Sequence, residues 1–249
     1  MKSRFAFLAF AGLVSAANAT EFSMTVTDLG GQPLSPVFYA ASDSTFDEFT
    51  LGNQASLGIK HIAEMGDATS MLGIAAGAGS AVGAYGLCGS SPITTGNSAT
   101  TTFMADSSHP YFSFATMLGK TNDGFLGESV SSMGLMLFSG STPQSIDYIV
   151  TGERAWDAGT ELNTQNAADL AFLGGNGNPQ ELQGNAYIRQ HAGIIPGVGD
   201  SWQLMPAWGL GDSLAEVQIK AVPEPGSMFG LASGVLGFLA IIRRRRAMA

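Results

Sequence analysis

Cysteine occurs once in the 249 residues, as Cys88, so no disulfide can form within the chain and stability has to come from packing or a bound ion. Basic residues are almost missing from the middle. Between Thr20 and Val222 there are five of them (Lys60, Lys120, Arg154, Arg189 and Lys220) against 19 acidic ones, a balance of −14 within a chain whose formal total is −9. A surface of that sign repels phosphate backbones, which excludes nucleic-acid binding. Charged residues of both signs make up only 12% of the chain, about half the usual share. Sequence signatures of common enzymes are lacking too: there is no G-x-S-x-G elbow, H-E-x-x-H, P-loop or dinucleotide fingerprint, and His61, His109 and His191 are scattered.

What is present divides into two addressed ends and a body. Lys2 and Arg4 precede the short apolar run Phe5–Val14, and Ala17-Asn18-Ala19 supplies small residues for cleavage. That is the pattern of a secretory signal peptide over residues 1–19, with Thr20 as the mature N-terminus. At the other end, over residues 222–249, Val222-Pro223-Glu224-Pro225 leads into an apolar stretch over 226–242 and then Arg243, Arg244, Arg245 and Arg246. Seventeen helical residues would span about 26 Å, close to the ~30 Å of a bilayer core. The arginines would hold that end on the cytoplasmic side of the inner membrane. Pro223-Glu224-Pro225, one apolar helix and an Arg cluster in this order resemble the PEP-CTERM sorting signal of Gram-negative bacteria. The resemblance implies transient anchoring, processing by an exosortase, and delivery to the cell surface or extracellular matrix.

In the body, residues 20–221, glycine (33 in the chain), serine and threonine favour short strands and turns. Phe22, Met24 and Val26 alternate with Ser23, Thr25 and Thr27, which predicts a half-buried strand ended at Gly30-Gly31. Leu57, Ile59, Ile62 and Ala63 suit a short helix ended near Gly66. Met71–Cys88 carries five glycines and is expected to be a packed loop, because each costs a helix about 1 kcal/mol relative to alanine. Further strands are expected at Tyr111–Leu118, Gly134–Phe138, Ile146–Thr151, Ala186–Gln190 and Ala215–Ala221, with no internal repeat of fixed period. The sum is an all-β antiparallel β-sandwich with one or two short helices, plus the C-terminal transmembrane helix.

The chemistry that stands out is acidic. Thr121-Asn122-Asp123-Gly124-Phe125 is a polar turn after a strand, and Asp157-Ala158-Gly159-Thr160-Glu161 is a second acidic turn. If the two loops meet, Asp123, Asp157 and Glu161 share a small volume, and their repulsion invites a hard cation such as Ca²⁺. From spacing alone, ordinary Asx turns that satisfy local backbone N–H groups account for these residues better than an ion does. Cys88 has no neighbouring His or acid and is expected to be a buried, inert thiol.

The order of the segments adds a second resemblance. Phe22-x-Met24-x-Val26-x-Asp28-Leu29, Gly31-Gln32-Pro33-Leu34-Ser35-Pro36, Ala55-Ser56-Leu57-Gly58-Ile59 and Ala63-Glu64-x-Gly66-Asp67 come first. Thr121-Asn122-Asp123-Gly124-Phe125, Asp157-Ala158-Gly159-Thr160-Glu161-x-Asn163-Thr164 and His191-x-Gly193-Ile194 follow. Together they resemble the spondin domain. The resemblance implies a β-sandwich of extracellular matrix proteins with one Ca²⁺ held by Asp123, Asp157 and Glu161, the last replacing the usual Asp. It also implies a non-enzymatic adhesion or matrix role, with extracellular polysaccharide or matrix proteins as partners. Glu64 and Asp67 are expected to be structural, and Asn163 to brace the loop. The competing expectations are a secreted glycan hydrolase using Asp157 or Glu161 as acid or base, and a purely structural matrix protein.

Overall fold

The computed structural model describes residues 19–30, 32–132, 134–164, 167–173, 186–193 and 208–223. Most of the expected signal peptide and everything from Glu224 onward, including the 226–242 stretch and Arg243 to Arg246, therefore lie outside the described residues, as do Gly31 and Ile194. Among the described residues no helix is long and apolar enough to cross a membrane.

Strands dominate, and every strand pairing is antiparallel. In chain order they are β1 (Thr20–Asp28), β2 (Val37–Ser42), β3 (Val82–Cys88), β4 (Ser98–Ala105), β5 (Tyr111–Met117), β6 (Gly124–Glu128), β7 (Leu135–Met136), β8 (Phe138–Ser139), β9 (Thr142–Pro143), β10 (Ile146–Thr151), β11 (Ala155–Asp157), β12 (Arg189–Gln190) and β13 (Ser213–Ala221). One sheet runs β10-β13-β1-β4, and a larger one runs β12-β11-β6-β5-β2-β3 with β7 beside β5. Two helices, α1 (Leu57–Met65) and α2 (Thr69–Gly77), connect β2 to β3.

The alternation in β1 works as expected: Phe22, Met24 and Val26 are fully buried while Ser23, Thr25 and Thr27 are half-exposed. The inward residues of β1 and β13 meet Tyr39, Phe103, Phe112 and Phe114 in the core between the sheets. Each large side chain buried there contributes about 2 kcal/mol by removing apolar surface from water. Phe22 stacks on Phe103 at 5.6 Å and meets Phe138 edge-on at 5.4 Å.

A second core lies on the opposite face of the larger sheet, where Phe38, Ala40, Ala115, Phe125 and Trp156 pack against Ile59, Ile62, Ala63, Met71 and Ala75 of the helices. The molecule thus has three layers. This explains β2, whose six residues are all buried: Val37, Tyr39 and Ala41 face one core, Phe38 and Ala40 the other. A strand covered on both faces shows no alternation to read. Helix α1 follows its sequence signals closely. Ser56 Oγ accepts the amide of Ile59 at 3.2 Å, a cap worth ~1 kcal/mol. Gly66 closes the helix at φ +66°, a left-handed conformation that glycine adopts without strain.

Met71–Cys88 is not a loop. Its first part lies in helix α2, and its last seven residues form strand β3. The glycine penalty does not decide the outcome, because two of the five glycines are needed for close approach inside the strand. A Cβ on Gly83 would stand 2.5 Å from the His109 ring, and one on Gly86 would stand 2.8 Å from the Tyr39 hydroxyl. The expected strand at Ala186–Gln190 shrinks to β12, and Gly134–Phe138 divides into two short pieces.

The two sheets share their ends. Thr20, Ala105, Ala221, Tyr111, Ser42 and Val82 lie at one end, linked by pairing and by the short 106–110 turn. Asp28, Ala215, Met117, Gly124 and Asp157 lie at the other. Nine residues of β1 at ~3.4 Å each put about 27 Å between them.

Candidate functional site

The loops carrying Asp123, Asp157 and Glu161 meet at the Asp28 end. Thr121 builds the first: its hydroxyl donates to the Leu118 carbonyl at 2.7 Å and accepts the Gly124 amide at 2.9 Å. A Cβ on Gly124 would lie 2.5 Å from that hydroxyl, so glycine is required there. Asp157 closes β11 directly opposite Gly124, and the Ala158 amide donates to the Asp123 carbonyl at 3.0 Å. Gly159 turns the second loop at φ +69°, against the Tyr187 carbonyl.

Asp123 is the organising group. It is fully buried, and its Oδ2 accepts the amides of Thr160 at 2.7 Å and Glu161 at 3.0 Å. Its Oδ1 is buried and has no hydrogen-bond partner among the described residues. Burial first, and the negative charge of Asp157 second, push its carboxyl up to about 6, while the amides of Glu161 and Thr160 pull the other way. Asp157 is fully engaged: Oδ1 accepts the Gly159 amide at 2.8 Å, and Oδ2 accepts Asn163 Nδ2 at 2.8 Å and an Arg189 guanidinium N–H at 3.0 Å. Glu161 is buried and joins the cluster through its amide.

The structure therefore brings both predicted loops together and gives Asn163 the bracing role expected of it. The Asx-turn expectation is also met, at Asp157. Among the described residues no three His, Cys, Asp or Glu side chains already stand as a metal cluster. Two neighbours of the site had no role assigned to them from the sequence, although His191 stands in one of the quoted segments. Arg189, paired with Asp157, is one of the five basic residues of the body, and that rarity was the available signal. His191 is buried beside Trp208 at 5.3 Å between ring centres, and its imidazole is pushed down chiefly by burial. Its Nδ1 accepts the Gly193 amide at 3.0 Å.

Other expected roles fall into place around the site. Glu64 pairs with Lys60 at 3.7 Å and Asp67 accepts the Thr69 amide, so both are structural. Cys88 is fully buried and its thiol is pushed up to about 11 by burial. An apolar groove of about 110 Å³, lined by Pro33, Pro36, Met65, Pro92 and Phe172 among others, opens beside Met117 and Gly119.

Two buried acids elsewhere bear comparison with the site. Glu128, fully buried, accepts Arg154 Nε at 2.9 Å, the Tyr148 hydroxyl, and Ser132 Oγ at 2.7 Å, which ties the two sheets together. Glu48 belongs to the loop between β2 and α1, accepts Ser113 Oγ, and has an Oε2 with no partner among the described residues. Burial pushes its carboxyl up to about 8.

Comparison with known proteins identifies the tail. Residues 221–246 match the PEP-CTERM protein-sorting motif, which indicates export and exosortase-dependent sorting to the surface or exterior of a bacterium. No curated protein matches the chain.

Proposed function

We propose that the chain is an exported, non-enzymatic, calcium-binding module of the spondin-like kind, anchored transiently in the inner membrane and released by exosortase to the cell surface or matrix. Adhesion to extracellular polysaccharide or matrix proteins is its role. The observation that carries the metal reading is the Oδ1 of Asp123: a buried carboxylate oxygen with no donor, next to a second buried carboxylate that raises its pKa. Unpaired buried charge is expensive, and a hard cation with oxygen ligands removes the expense.

Asp123, Asp157 and Glu161 would hold the ion. Arg189 supplies the positive charge at Asp157 Oδ2, and its side chain is 57% exposed, so solvent is open to it when an ion takes its place. Bound Ca²⁺ supplies charge neutralisation at the junction of the two loops. The chain's own contribution is to hold those loops in register through the Ala158 and Thr160 amides on Asp123.

Calorimetry on the exported body, residues 20–222, tests this, since both cores lie within those residues. Ca²⁺ should bind and raise the melting temperature of the wild type and do neither in Asp123→Asn. A wild type indifferent to Ca²⁺ rejects the metal reading.

A further inference from the structure

We propose that, while the 226–242 run is anchored, the sandwich stands on the bilayer on its Thr20 end and holds the Asp123–Asp157 carboxylates at the opposite end, facing away from the membrane. This rests on the anchoring reading above. The surface against the lipid consists of Ala76–Ser80, the 106–109 turn and the Val222 exit.

The first support is the length of free chain. Val222 is still fixed to the sheet, its amide donating to the Glu21 carbonyl at 2.8 Å. Only Pro223, Glu224 and Pro225 separate it from Gly226, where the apolar run begins. The four steps from Val222 to Gly226 reach at most about 14 Å, so the exit point has to lie that close to the bilayer.

The second support is what surrounds the exit. The Gly77 end of α2 and the start of β3 at Val82 lie at this end, because Val82 pairs with Ser42, which also pairs with Tyr111. No charged residue occurs from Thr69 to Gly89, and Ala76, Gly77, Gly79 and Ser80 are exposed. His109 reaches across, its ring Nε2 lying 3.0 Å from the Ser80 carbonyl, and so joins the 106–109 turn to this surface. Exposed Glu21 and Lys220 flank the exit with opposite signs, while Asp43 and Asp106 are each folded back onto their own turns through Thr45 and Ser108. They give this end no attraction for anionic lipid, so the short tether sets the contact rather than surface charge.

The third support is the register. Ala221 lies opposite Phe22, whereas Asp157 lies opposite Gly124 at the far end of the sandwich. A tether at one end therefore places the carboxylate site about 27 Å farther out.

The test uses the full chain reconstituted in phosphatidylcholine vesicles carrying spin-labelled headgroups. A fluorophore is attached at Ser80→Cys or Ser108→Cys near the exit, or at Ser91→Cys at the far end; Cys88 is buried and stays unlabelled. Quenching at Ser80 and Ser108 should exceed that at Ser91 at least about threefold, since the separation outruns a contact-range quencher. Equal quenching at the three positions, in protein that floats with the vesicles, overturns the orientation. Full chain that fails to float, as a variant ending at Pro223 should, instead rejects the anchoring on which the proposal rests.

Discussion

Glu128 and Asp123 are both carboxylates with no exposure to solvent, and they are treated differently. Glu128 has a partner on every side: Arg154, Tyr148 and Ser132, drawn from both sheets and the segment between them. Asp123 has backbone amides on one oxygen and nothing on the other, with a second acid close by. A buried charge whose needs are met inside the chain is a structural tie. One whose needs are unmet is the place that the proposed ion would fill. Glu48 is an intermediate case, with an orphan oxygen but burial so complete that a proton can settle it.

The comparison can be broken most severely at Glu128. Arg154→Met should destabilise the fold by about 3–5 kcal/mol in urea denaturation, because it strands a fully buried carboxylate. A loss below about 1 kcal/mol would show that Glu128 is no tie. Next comes Glu48. Its folded value of about 8 lies above the ordinary 4.5, so the folded chain keeps a proton that the unfolded chain has released. Its contribution is complete below pH 4.5 and is lost progressively as the pH rises from there through 8, about 4–5 kcal/mol over the window. Denaturation of Glu48→Gln across this range should lack that part of the slope.

Smaller effects belong to the candidate site. Asp123→Asn should leave metal-free stability at neutral pH unchanged or raised by about 1 kcal/mol, since it removes one of two adjoining like charges. In the wild type, calcium-induced stabilisation should fade as the pH drops through 6, where Asp123 takes up a proton and competes with the ion. Titration calorimetry at pH 5 and 7.5 measures this directly. The smallest change is expected at Arg189. Arg189→Gln removes a largely exposed ion pair worth about 0.5 kcal/mol, yet should tighten Ca²⁺ binding several-fold by releasing Asp157 Oδ2. Weaker binding in that variant would mean that the guanidinium helps to build the site.

How far the sequence could be read follows from how each segment is covered. β1, α1, β10 and β13 were legible because one face of each is wet or one end is capped, which leaves a period or a cap in the residues. β2 and β6 were not, since all their residues are buried. β5 is covered on both faces and was read from its aromatic residues Phe112 and Phe114 instead. β3 was hidden by glycines whose purpose, room for Tyr39 and His109, depends on residues distant in the chain. At the site the two acidic loops could be matched from their order, but the countercharge could not. Arg189 reaches Asp157 only because β12 pairs with β11, a tertiary fact that spacing does not encode.

The lone Cys88 has a consequence for the protein's life outside the cytoplasm. Disulfide exchange proceeds through the thiolate, and a thiol near 11 leaves only about one molecule in 10³–10⁴ ionised at neutral pH, behind a core that admits no oxidant. An unfolded chain crossing into an oxidising compartment has no such shelter. Its thiol becomes safe only when β3 pairs with β2 and Cys88 comes to lie opposite Val37. Folding speed therefore sets how long that thiol stays open to cross-linking with a second chain, and any slow step that delays the pairing lengthens the exposure.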